Sequence, residues 1–443
     1  MGASATVHPG QKAGEQVPAR VSGDHQQHSI NHNSKTANAV DDTVDKKASS
    51  KSRASQLFLS TSIAKTLLEK YNSASPNTAA DGNGVDPSTV DRYGFIKSKK
   101  NQHSYNLTSD TKRTPLLRRV AHPTDVVVRA PSALTPSRPL SVERETRRQA
   151  KWQAMAKAES TSPGSTVYSF QIDNTLISRT YKGIPDAWRS AAWYSSITYS
   201  ARKEKNFVTD EQLLSRYDEL LTTDSSADNQ IDLDVPRTIA GHVLFSARYS
   251  GGQRLLFRVL HAFSLTREDV GYVQGMAPLA ATLLCYYDER TAYIMMCRLF
   301  SVRHFDILYA PGFGGLFDAF EVFKTALEAR PAGRKILNLG IDPMLFATKW
   351  YLTLFHYALQ FPMQLRIWDV FFLGPPNGDS SVAATFNILH ATALAIVDVF
   401  SATVLSLDFE HSLTLLSTIV DVKNPDLFMR VVKQEYNGLS NVL

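Results

Sequence analysis

Cysteine is nearly absent. The 443-residue chain has two, Cys285 and Cys297, each inside an apolar run (LLCYY and MMCRL). A disulfide scaffold is therefore excluded, and both thiols are expected to be buried in a protein of a reducing compartment, the cytosol. The N-terminus, MGASATVHPGQKAGEQ, lacks the apolar core of a secretory signal and the arginine bias of a transit peptide, so export is not expected. Met1-Gly2 with Thr6 matches the myristoylation pattern only loosely. No P-loop-type glycine-rich segment is present, so the chain is not expected to hydrolyse a nucleotide by itself. His242, His261, His304 and His356 show no metal-ligand spacing, and no Ser-His-Asp signature accompanies them. The stretch from Ser380 to Val397 is uncharged and long enough to span a membrane. Its Ser, Thr, Asn and His residues on alternating faces make it a buried core helix instead.

What is present divides sharply along the chain. Residues 1–165 carry 24 Lys+Arg against 14 Asp+Glu, and the remainder carries 24 against 28, so the net charge of +6 hides a basic first part and a mildly acidic second part. Residues 1–138 are dominated by Ser, Thr, Asn, Asp, Lys, Pro and Gly and hold too little apolar surface to offset the entropy of ordering. This region is expected to be mostly disordered, either as a solvated arm or in peripheral contact with an acidic membrane surface. It lacks interleaved aromatic and basic residues, which argues against nucleic acid. Gln56–Tyr71 could form a short amphipathic helix through Leu57, Ile63, Leu67 and Leu68. Ser75, Thr114, Thr135 and Ser162 each precede a proline, a context in which phosphorylation would lower the positive charge.

From Ser141 the character changes. SVERETRRQAKWQAMAKAE reads as one continuous charge-rich helix ending before TSPGS, within a helical extension over residues 139–178. Beyond Val167 helical periodicity dominates. Leu316, Phe320, Phe323 and Leu327 form one apolar stripe, and Phe386, Leu389, Ala393, Ile396, Val397 and Phe400 form another. GFGG, ARPAGR and GPPNGD punctuate helix-sized blocks, and no long two-residue alternation appears. The fold class is all-α.

Four blocks stand out in this half. Lys182-Gly-Ile-Pro185 precedes Trp188-Arg189 and Trp193, which reads as a turn and then a packed aromatic helix. Ile231-Asp-Leu-Asp-Val-Pro-Arg-Thr238 makes Asp234 a candidate helix N-cap, with Pro236 in the first turn and Arg237 near the helix start, close enough for Asp234 to steady its guanidinium. Gly271-Tyr-Val-Gln-Gly-Met276 follows, holding Tyr272 and Gln274. The last block, Lys349-Trp350, Phe355, Pro362 and Arg366-Ile-Trp-Asp369, reads as architecture, with Trp350 and Trp368 as core anchors and Asp369 as an internal hydrogen-bond acceptor.

Together these blocks resemble the TBC-domain family of Rab GTPase activators. The second block fits its I-x-x-D-x-x-R-T pattern at Ile231, Asp234, Arg237 and Thr238, and Tyr272 and Gln274 fit its Y-x-Q motif. The resemblance runs from about Arg179 to about Asp426 within a domain placed at 179–443. Asp91-Arg-Tyr-Gly-Phe-Ile96 and the helix around Trp152 are similar to short elements that precede the catalytic domain in some fungal members, which implies that the stretch from Ser141 folds against that domain with Trp152 as anchor. One departure is Ala277-Pro278, where the family often has Asn after the Y-x-Q-G-M run; it bears on how Gln274 is placed.

The resemblance implies a two-lobed helical domain that accelerates GTP hydrolysis in trans on a GTP-bound Rab-family GTPase, and so controls vesicle traffic. Arg237 would stabilise charge on the phosphates and Gln274 would orient the attacking water. No cofactor is implied, since Mg²⁺ and GTP would be held by the partner. A scaffold that binds the GTPase without accelerating hydrolysis is the competing expectation.

Overall fold

The computed structural model describes residues 89–96, 142–162, 165–247, 251–375 and 381–440. All of them belong to one of the two units into which the chain divides, Ser55–Leu443. The helix expected over Gln56–Tyr71, the Ser/Thr-Pro sites at Ser75, Thr114 and Thr135, Gly2 and most of the basic region lie outside the described residues.

From residue 142 the chain runs as α1 (Val142–Gln153), a hairpin of β1 (Ala156–Ser162) and β2 (Ser165–Phe170), and then helices: α2 (Asn174–Tyr181), α3 (Asp186–Ala201), α4 (Asp210–Leu220), α5 (Asp228–Asp234), α6 (Gly251–Thr266), α7 (Met276–Leu284) and α8 (Glu289–Val302). The second half holds α9 (Phe305–Tyr309), α10 (Gly314–Glu328), α11 (Pro331–Asn338), α12 (Pro343–Leu352), α13 (Phe361–Leu373), α14 (Val382–Val404), α15 (Phe409–Leu416) and α16 (Pro425–Ser440). Side-chain caps start many of them. Asp173, Asp288, Asp342 and Ser381 accept first-turn backbone N–H groups, and Thr209 with Gln212 closes a reciprocal capping box. Prolines at the starts of α11, α12 and α13 occupy positions whose N–H would have no helical partner.

The fold is helical as expected, with one correction. The helix predicted to run through Glu159 stops at Gln153, and Ala156–Ser162 pairs antiparallel with Ser165–Phe170. AKAE offers no apolar stripe for a helix to bury, whereas Val167-Tyr-Ser-Phe170 supplies the β-branched and aromatic residues that suit a pleated surface. Phe170 is buried edge-on against Trp152 at 5.5 Å, and Tyr168 lies edge-on to Trp188 at 5.2 Å. Ser162, one of the proline-flanked sites, ends β1.

The core is built from the two stripes and the tryptophans. Leu316, Phe320, Phe323 and Leu327 of α10 are buried, as are Phe386, Leu389, Ala393, Ile396, Val397 and Phe400 of α14. Helix α14 is long and apolar enough to cross a membrane, yet 78% of its most apolar window is buried in the structure, against α10, α11, α13 and α16 among others. Both cysteines are free and buried, and burial pushes the Cys297 thiol up to about 12.

Trp350 and Trp368 are fully buried, and Trp193 stacks on Phe372 at 4.9 Å. Asp369 is the internal acceptor. Its carboxylate receives the Ile184 N–H at 3.0 Å, Arg189 Nε at 2.9 Å and Trp193 Nε1 at 2.9 Å, so the first and last motif blocks are locked together. Burial disfavours the Arg189 charge, but Asp369 together with Tyr286 and Tyr93 outweighs it and raises the guanidinium pKa above its ordinary value.

Candidate functional site

Helix α5 is seated by Ile231, which is fully buried, and ends at Asp234. A single 3₁₀ turn, Val235–Arg237, follows with Pro236 inside it, and Thr238 leaves in extended conformation. Val235 and Thr238 are buried, and the Thr238 hydroxyl donates to the Asp234 carbonyl at 2.8 Å. The turn is thus held on both sides of Arg237, whose side chain is 48% exposed.

Asp234 departs from the expected role. It closes α5 instead of capping a following helix, and its carboxylate accepts no backbone N–H in the turn. Pro236 keeps the next segment to one short turn, so there is no long helix for Asp234 to cap. The carboxylate, 3% exposed, instead gathers side chains. Its Oδ1 pairs with Arg237 Nη2 and accepts from Gln230 Nε2 at 3.2 Å, and its Oδ2 accepts from the Tyr272 hydroxyl at 2.7 Å. Steadying of the Arg237 guanidinium by Asp234 is therefore observed. Among the described residues the remaining guanidinium N–H groups meet no acceptor, so the outward side of Arg237 is available to a ligand anion.

Tyr272 belongs to the segment that carries Gln274, so one buried carboxylate joins the two motifs across 38 residues of sequence. Burial raises the Tyr272 phenol well above its ordinary pKa, and the Asp234 hydrogen bond adds to it, leaving Tyr272 a firm donor. Gln274 is exposed in the turn that precedes α7. Gly275 takes φ +112°, a left-handed conformation that suits glycine, and a Cβ there would lie 3.4 Å from the Tyr309 hydroxyl. Met276 is buried at the first position of α7. Ala277 is buried beside it, and Pro278 sits in the first turn, where its missing N–H costs no helical bond.

One neighbour escaped the sequence reading, and one element noted there docks at a place the sequence did not indicate. Tyr357 has its phenol pushed up to about 12, first by burial and then by the nearby Asp234 carboxylate, with Arg237 opposing, so it lies in the field of the same pair. It sits in no motif, and nothing local marks it. The docking element is Asp91–Ile96. Ile96 N–H donates to the Gly241 carbonyl at 2.9 Å and Val243 N–H to the Gly94 carbonyl at 2.8 Å, a few residues after Arg237. Among the described residues no three His, Cys, Asp or Glu side chains gather as a metal would require.

Residues 186–405 match the model of the Rab-GTPase-TBC domain. A TBC domain-containing protein of Schizosaccharomyces pombe is 44% identical over 63% of this chain and 64% of its own length. The chain belongs to the TBC-domain family. TBC1 domain family member 10B of Homo sapiens is 32% identical over 44% of this TBC protein and 24% of itself. Rab GTPase-activating protein tbc-11 of Caenorhabditis elegans is 28% identical over 52% of the chain and 23% of itself. The chain thus spans under two thirds of the length of these relatives. The crystal structure of the Ypt/Rab-GAP domain of Gyp1p superposes with a TM-score of 0.54 at 17% identity, covering 68% of this TBC protein and 99% of that domain, which shows the shared helical fold.

Proposed function

We propose that this TBC protein is a GTPase-activating protein for a Rab-type small GTPase in its GTP form, acting through Arg237 and Gln274. The observation that carries the reading is the Asp234 carboxylate, which holds the exposed Arg237 and the Tyr272 of the Gln274 segment at once. GTP hydrolysis on a small GTPase is slow because charge shifting toward the leaving oxygen is poorly neutralised and the attacking water is loosely held. Arg237 enters the nucleotide site from outside and donates to the phosphate oxygens, with its Nη2 kept on Asp234 as a brace. Gln274 orients the water. The GTPase supplies GTP and Mg²⁺.

An arginine delivered in trans contributes roughly 10³ to 10⁵ in rate, or about 4 to 7 kcal/mol of barrier. Arg237→Ala is therefore expected to abolish most stimulated hydrolysis. Arg237→Lys should do the same, because lysine lacks the planar fork that can hold Asp234 and phosphate together. Gln274→Ala should be severely impaired. Phosphate release from a panel of GTP-loaded Rab proteins, each mixed with the full chain or one of these variants, tests the reading. Normal stimulation by a folded Arg237→Ala protein would sink the arginine assignment. Binding without acceleration across the panel would make the chain a scaffold.

A further inference from the structure

The loop that follows Arg237 is held in an unfavourable shape. Ile239 has φ +49°, a left-handed backbone that a β-branched residue adopts only when its surroundings impose it, and its side chain is buried. On the upstream side the loop is tied by Thr238 and Asp234. Downstream, Cys285 Sγ lies 3.6 Å from His242 Nε2, and the loop's backbone hydrogen bonds to another segment come from Thr89–Ile96, more than a hundred residues earlier and outside the matched family segment.

This segment folds on itself. Asp91 Oδ1 accepts the N–H groups of Tyr93 and Phe95, each at 2.9 Å, Asp91 N–H donates to the Phe95 carbonyl at 2.8 Å, and Val90 bridges Ile96. The resulting turn then grips three consecutive residues of the Arg237 loop. Gly241 accepts from Ile96, Val243 donates to Gly94, and His242 Nε2 lies 2.8 Å from the Tyr93 carbonyl. His242 Nδ1 accepts the Leu244 N–H, so Nε2 is the protonated nitrogen and donates to Tyr93. The fit is close: a Cβ on Gly94, which has φ +97°, would lie 2.4 Å from His242 Nε2.

The other side of the turn rests on rigid parts of the domain. Tyr93 and Phe95 lie edge-on to Phe361 at 5.8 and 5.0 Å, at the start of α13, and Arg92 pairs with Asp186 at the start of α3. Helices α3 and α13 are themselves clamped by Asp369 with Arg189 and Trp193. The turn therefore links a fixed reference in the core to the backbone that presents Arg237.

We propose that the turn Thr89–Ile96 is a positioning element for Arg237, holding the 238–243 loop so that the guanidinium is aimed at the phosphate of the bound GTPase. The inference rests on the reading of Arg237 given above. Displacement of a reacting group by about 1 Å can cost about 10²-fold in rate. Loss of the turn thus acts on the chemical step and leaves the GTPase-binding surface in place.

The test uses the full chain with residues 89–96 replaced by a Gly/Ser sequence of equal length and a GTP-loaded Rab that the unaltered chain stimulates. Single-turnover phosphate release is followed across a range of activator concentration. The maximal rate is expected to fall at least about tenfold while the half-saturating concentration stays within about twofold. Hydrogen exchange at the Val243 amide should rise, reporting undocking. Added peptide Thr89–Ile96 should restore the rate, and the same peptide with Gly94→Ala should not.

A maximal rate within about twofold of the unaltered chain, with the Val243 amide exposed, would overturn the proposal. So would a raised half-saturation at unchanged maximal rate, which would make the turn part of the docking surface. If the replacement unfolds the domain at assay temperature, the milder Arg92→Ala/Tyr93→Ala variant is judged by the same two quantities. Arg237→Ala, measured in parallel, separates the two ideas. Full activity in that variant removes the arginine reading, whereas an inactive Arg237→Ala beside a normal turn variant removes this one.

Discussion

Removing a single oxygen, by Tyr272→Phe, tests whether the two motifs act as one unit. The ring stays, and the hydroxyl that donates to Asp234 Oδ2 at 2.7 Å is lost. Asp234 Oδ1 still has Arg237 and Gln230, but Oδ2 is left in a nearly closed site without its donor. A hydrogen bond to a charged group contributes about 1.5 to 3 kcal/mol. If the whole loss appears in the transition state, the stimulated rate falls about 10- to 150-fold. If part of it is felt in folding, the melting temperature drops and the rate loss is smaller, so both are measured. The assay is single-turnover phosphate release at saturating activator, beside thermal unfolding, for Tyr272→Phe, Asp234→Asn and the double variant. Because the two side chains touch, the single effects should fail to add by more than about 0.5 kcal/mol. Additive effects, or a Tyr272→Phe protein with rate and stability both unchanged, would refute the idea that Asp234 couples the Arg237 turn to the Gln274 segment.

Two further outcomes follow from the core. Asp369→Ala removes the acceptor for Ile184, Arg189 and Trp193 and leaves Arg189 buried with only Asp186 and weaker partners, so unfolding in denaturant should show a loss of about 3 to 5 kcal/mol. Acid should also destabilise the domain. Burial lowers His242 and His356 to about 4 and His390 to about 3, all below the ordinary 6.5. Between about pH 6.5 and 4 the unfolded chain therefore binds more protons at these sites, and stability falls as pH falls through that window. Asp398, raised to about 6 by burial and then by Glu435, works in the opposite direction and loses its contribution as pH rises from about 4 through 6. With three histidines against one carboxyl, the melting temperature should decline on acidification below about pH 6.5; a flat profile down to pH 4 would contradict the burial of these rings.

Much of the architecture was legible in local pattern. The stripes of α10 and α14 have helical spacing, and helical spacing alone decides which residues share a face. The roles of Trp350, Trp368 and Asp369 followed from residue type, since large aromatics need burial and a carboxylate among them needs donors. Arg237 and Asp234 could be paired from their separation of three residues. Propensity misled where a competing partner lay elsewhere. AKAE is compatible with helix, yet β2 offered its backbone a ladder, and Asp234 resembles a cap, yet Tyr272 and Arg237 took its oxygens.

What the sequence by itself determined about this protein is therefore the family, the helical core and the motif positions of Arg237 and Gln274, because each is written in short-range order and spacing. What only the tertiary structure decided is their connection. The bond from Tyr272 to Asp234 spans 38 residues, the clamp from Arg189 to Asp369 spans 180, and the docking of Gly94 against His242 and Val243 spans more than a hundred. Such contacts depend on how helices pack in three dimensions, and no local spacing encodes which distant donor a buried carboxylate or a strained loop will meet.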